Sequence, residues 1–140
     1  MEGTETISKS NNKSLYLKVF NNQFQELLDD INRIIPNNVD IITMQNALSS
    51  FKKTNPKLII SMWNNYVVIP YGNQINSGNY EFFIDKDYGS DFKGHKNEKV
   101  ILDGIDRMRE VVRALDENNK KHSLDYIKNL CSLSDLYFTN

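Results

Sequence analysis

Asp85, Asp87 and Asp91 sit in the run Asp85-Lys86-Asp87-Tyr88-Gly89-Ser90-Asp91, a clustering of carboxylates that could suit a hard cation. A calcium loop counted from Asp85 needs an acid or Asn at its fifth position, Gly at its sixth and Glu at its twelfth. Those positions hold Gly89, Ser90 and Lys96, so the run reads as an acidic surface turn. His95, His122 and Cys131 are the soft ligands, and their separations match no zinc pattern. Cys131 falls on the apolar side of a helical stretch, which suits a packed thiol better than a nucleophile, and no flanking Cys–His signature accompanies it. Gly72, Gly78, Gly89 and Gly94 lack the Gly-x-Gly spacing of a phosphate-binding loop, and Gly104 falls within a helix, where it permits close approach. Asp29-Asp30 lies on a solvated helix face. These residues assign no catalytic group, metal or cofactor, and the chain reads as non-enzymatic.

Binding chemistry has two better candidates. Lys52, Lys53 and Lys57 cluster around one turn and could contact phosphates, whereas Arg107, Arg109, Arg113, Lys120 and Lys121 are interleaved with acids and read as a mixed solvated surface. Trp63, Tyr66, Tyr71, Tyr80, Phe82, Phe83 and Tyr88 place seven aromatics within 26 residues, many for one core of this size. Most belong inside, but the interruption at Pro70-Tyr71-Gly72 frees some to act as anchors for a protein partner. Tyr71 and Tyr88, at the breaks of the segment Ile69 to Tyr88, are expected to be accessible, with Phe82 and Phe83 as further candidates.

The elements that position these residues are read from periodicity. Residues 1–13 are polar with a single Ile and read as a disordered N-terminal tail. Residues 14–138 read as one helical domain. A first helix starts near Ser14, with Phe20, Phe24, Leu27, Ile31 and Ile34 as its stripe, and Pro36-Asn37-Asn38 stops it. Asp40 is expected to cap a second helix bearing Ile41, Met44, Leu48 and Phe51. Asn55-Pro56 then opens a central helix to about Val68, apolar around most of its circumference and therefore expected to be packed on several sides. Pro70 predicts a break or kink at Ile69. Short pieces follow, one ended by Gly78 in a left-handed cap. The alternative of a hairpin pairing Tyr66–Ile69 with Tyr80–Ile84 lacks polar alternation. Ile101, Ile105, Met108, Val112 and Leu115 make a clean helical seam after Asn97, and a last helix covers about Ser123 to Tyr137. The predicted fold is an all-α, compact single-domain bundle of about five to six helices around a central helix near residues 56–68.

The 140 residues carry a formal net charge of −1, which argues against dominant attraction to nucleic acid or an anionic membrane. One cysteine fits a reducing compartment, and no run of the sequence approaches a bilayer span. Nineteen scattered asparagines, with abundant Ile and Lys, suit an AT-rich coding bias better than a prion-like tract. The order Phe20-x-x-x-Phe24, Asn55-Pro56-Lys57-Leu58-Ile59, Trp63, Pro70-Tyr71, Gly78 and Phe82-Phe83-Ile84-Asp85-Lys86-Asp87-Tyr88 resembles an uncharacterised protein family of giant nucleocytoplasmic large DNA viruses, over residues 16–137. That resemblance implies a viral protein made in the host cytoplasm or viral factory, with virion packaging open, and carries over no active-site residue. The expected function is a helical protein-interaction module, its partner viral or host, in a viral assembly. The alternative is a nucleic-acid-associated factor using Lys52, Lys53 and Lys57.

Overall fold

The computed structural model describes the backbone of residues 2–78, 81–87, 89–94, 96 and 98–139, and their side chains except at 2–11, 83, 84, 100, 101, 104, 105 and 108. The fold is an all-α bundle, with no strand among the described residues. Its helices are α1 (Glu2–Ile34), α2 (Val39–Thr54), α3 (Leu58–Trp63), a π-helical turn (Asn64–Val68), α4 (Ile69–Asn76), α5 (Glu81–Asp85), α6 (Gly89–Phe92), α7 (Glu98–Ala114) and α8 (Glu117–Thr139). Helical backbone at Glu81–Asp85 and across residues 66–69 removes the hairpin alternative.

The apolar stripe of α1 dictates the core. Phe20, Leu27 and Ile31 pack with Ile41 of α2, Ile60 of α3, Val111 of α7, and Leu130 and Tyr137 of α8. The α1 and α8 helices form the most extensive pair and run antiparallel. Lys13 lies over the Tyr137 ring at one end, and His122 meets Asp30 at the other. Helical backbone extends to Glu2, where the sequence suggested a tail over residues 1–13. No proline interrupts residues 1–35, and extending a formed helix costs far less than nucleating one.

Pro36 ends α1 as expected, with Asn37 in the left-handed region at φ 66°. Asn38, not Asp40, caps α2: its side-chain oxygen accepts from the Ile41 N–H at 3.2 Å. Asp40 enters the first turn instead, 3.5 Å from Arg107. Asn55 closes α2 rather than capping α3 with its side chain, and its carbonyl accepts from Leu58 N–H at 3.1 Å. The buried Asn21 amide donates to the Pro56 carbonyl at 3.0 Å, tying α1 to this turn.

The chain does not break at Pro70. The backbone stays helical from Leu58 through Asn76, and the Ile69 N–H reaches back to the Asn64 carbonyl across the wider π turn. Proline inside a regular helix lacks an N–H and collides with the carbonyl four residues back. The π turn shifts that register, so Pro70 is accommodated and Tyr71 and Ile75 still face the bundle. Gly78, at φ 80°, terminates this central rod as expected.

Candidate functional site

The central rod has two unlike sides. Ile60 faces the main core, while Tyr71 and Ile75 join Cys131 of α8 in a second cluster flanked by Trp63, Val67, Val68, Phe82 and Ile127. Trp63 links both, with its ring edge-on to Phe20 at 6.2 Å and to Phe24 at 5.8 Å. It is half-buried. The outer side carries Met62 at 44% exposure, Tyr66 at 36% and Ile69 at 72%. The rod is packed on several sides, as expected, but not around its full circumference, because Met62 and Ile69 stay exposed. Helices α1, α2 and α8 cover one flank, and α5 and α6 reach Tyr66 and Tyr71 through Phe92, Asp91 and Phe82.

Tyr71 is buried, which corrects its placement as an accessible anchor. Its hydroxyl donates to the Asp91 carboxylate, its ring lies 6.0 Å from that of Phe82, and Lys86 sits 5.2 Å above it. Lys86 also approaches Asp91 at 3.6 Å. This triad fastens α4 to the short helices after it. Burial, reinforced by the bond to Asp91, raises the Tyr71 pKa above the ordinary 10.0, with Lys86 opposing. Phe82 is half-buried in the same cluster. Tyr88 and the side chain of Phe83 lie outside the described residues.

The three lysines converge at one corner. Lys52 is half-buried with its ammonium 3.4 Å from the Asn22 side-chain oxygen, while Lys53 and Lys57 are exposed. Lys18 is exposed on α1 one turn before Asn22, the residue that Lys52 reaches, and no local pattern links it to the three lysines because α1 is distant in the chain. Basic side chains here also suit the negative end of the α2 dipole, so the cluster has a local structural cause.

The carboxylates of the acidic run point to different partners. Asp91 accepts from Tyr71, Asp85 lies 3.9 Å from Arg113, and Asp87 accepts from Gly89 N–H at 2.9 Å. Asp29 and Asp30 diverge likewise: Asp29 accepts from Gln25 and Gln45, while Asp30 meets Arg33 and His122. No group of three His, Cys, Asp or Glu among the described residues could hold a metal ion. Cys131 is buried; desolvation raises its thiol pKa, against a lowering by the Trp63 side chain. A shallow cleft of about 260 Å³ lies between the start of α2 and α7, where Arg107 and Asp40 bridge its polar rim above Ile35, Val111 and Ala114. No described helix is long and apolar enough to cross a membrane.

The residues that sequence reasoning missed are Met62 and Ile69. A signal was present, since no charged side chain occurs from Leu58 to Tyr80. Comparison with protein-family models, curated proteins and solved structures finds no match for this chain.

Proposed function

We propose that this chain is a non-enzymatic helical interaction module that binds protein through the outer ridge of its central rod, Met62, Tyr66 and Ile69. The supporting observation is the ridge: three large apolar side chains are exposed along one helical rod whose opposite side is core. Solvent-facing apolar patches of this kind are where protein partners dock, and Tyr and Met are among the residues enriched there. Tyr66 rests its ring on Phe92 at 5.1 Å, which pre-orders it and lowers the entropy lost on binding. The divergence of the carboxylates and the burial of Cys131 favour binding over catalysis. An infected cytoplasm, the setting implied by the motif resemblance, belongs to the same proposal.

A second reading has its own observation. Lys52, Lys53 and Lys57 share a corner, Lys18 lies one turn before the Asn22 that Lys52 reaches, and none of the four forms an ion pair with a described carboxylate, as a phosphate-binding patch requires. Photo-crosslinking groups installed singly at Ile69 and at Lys53 separate the two. The protein-binding reading expects nuclease-insensitive protein adducts from position 69. Adducts confined to position 53 and abolished by nuclease would replace it with the nucleic-acid reading.

A further inference from the structure

We propose that the ridge is covered by a second copy of this chain, with the two central rods packed antiparallel about a two-fold axis near Tyr66. This rests on the reading of the ridge as a protein-binding surface and names its occupant. The rod from Leu58 to Asn76 spans about 28 Å at ~1.5 Å per residue. Between Lys57 and Glu81 the chain has no charge, so the exposed middle of the ridge offers only Met62, Tyr66, Ile69, Pro70 and neutral Asn65 and Asn73. A strongly charged partner gains nothing from such a surface. In a two-fold contact each patch meets its own copy, and a neutral patch does so without like-charge repulsion.

The ends of the rod have opposite signs. Lys52, Lys53 and Lys57 gather before its first turn, and Lys53 and Lys57 are exposed. Beyond its last turn come the exposed carboxylates Glu81, Asp85 and Asp87. Two of the cations near that end are engaged locally, Lys86 drawn in over Tyr71 and Asp91 and Arg113 held by Glu110 at 2.6 Å as well as by Asp85, while Lys93 after Phe92 is exposed. Antiparallel pairing brings each basic end toward the partner's acidic end, twice per dimer. A parallel pairing sets like against like. An antiparallel two-fold at Tyr66, close to the middle of the rod, sets Met62 of one copy across from Pro70 of the other, with Ile69 beside it.

The test is sedimentation equilibrium on the full chain, with circular dichroism confirming that each variant is folded. The wild type is expected to be dimeric in the micromolar range, and Ile69→Glu to weaken association by at least about tenfold in Kd. Met62→Lys serves if Ile69→Glu is poorly folded. Lys57→Glu and Glu81→Lys should each weaken self-association. An equimolar mixture of the two should restore it, because the mixed pair sets Glu against Lys at both ends. A wild type that stays monomeric to about 100 µM, or a dimer indifferent to both ridge variants, overturns the proposal. A ridge-dependent dimer whose charge variants do not recover on mixing overturns the antiparallel arrangement. If the chain is monomeric yet position 69 still crosslinks to a different protein, the second copy is refuted while the protein-binding reading stands; a monomer with no adduct refutes both.

Discussion

Replacing Trp63 by Ala removes the side chain that joins the two apolar clusters. Truncating a core Trp costs ~3–5 kcal/mol, from lost transfer energy and the cavity left behind. Two features of the site act in opposite directions. Trp63 is only half-buried, which lowers the area term. Its edge-on contacts with Phe20 and Phe24 each add about 0.5–1.5 kcal/mol beyond burial. The balance points to a loss of about 3–4 kcal/mol, a large part of the ~5–15 kcal/mol that stabilises an ordinary domain. Urea unfolding followed by far-ultraviolet circular dichroism measures it, because the indole reporter is gone; the m-value should stay constant. Combining Trp63→Ala with Phe24→Ala should give a coupling of about 1 kcal/mol. A loss below ~1 kcal/mol, as for surface substitutions, or additive behaviour of the pair would refute the bridging role.

Pro70→Ala should change stability by less than ~1 kcal/mol, since the π turn has already relieved the clash; a gain near the ~3 kcal/mol of an interior helix proline, in the same urea titration, would show that strain persists. Tyr71 holds its phenolic proton more tightly when folded, so its contribution is complete below pH 10.0 and is lost as pH rises through the higher folded value. Wild-type stability should therefore fall more steeply than that of Tyr71→Phe between about pH 9 and pH 11, with the raised Tyr126 a background common to both. Parallel urea midpoints across that window would contradict the burial of Tyr71.

Periodicity determined that the chain is helical, that Phe20, Leu27 and Ile31 of the expected stripe are buried (Ile34, expected with them, is exposed) and that Cys131 lies inside, while the backbone chemistry of Pro36 and Gly78 marked where their segments end. Each of these depends on residues a few positions apart, so the information is local. Caps were less legible where several capping residues adjoin: Asn38 and Asp40 both suit the start of α2, and only the actual chain direction out of Asn37 selects Asn38. The passage of the helix through Pro70 was decided by tertiary packing. Core contacts of Ile60 before the π turn and of Tyr71 and Ile75 after it hold both halves helical, and the wide turn costs less than losing either set. The same packing chose the exposed side of the rod. Leu58 to Ile69 is apolar around most of its circumference, so the sequence could not say which apolar residues would be covered. The positions of α1 and α8, fixed by contacts far apart in the chain, bury Ile60 and Tyr71 and leave Met62 and Ile69 facing water.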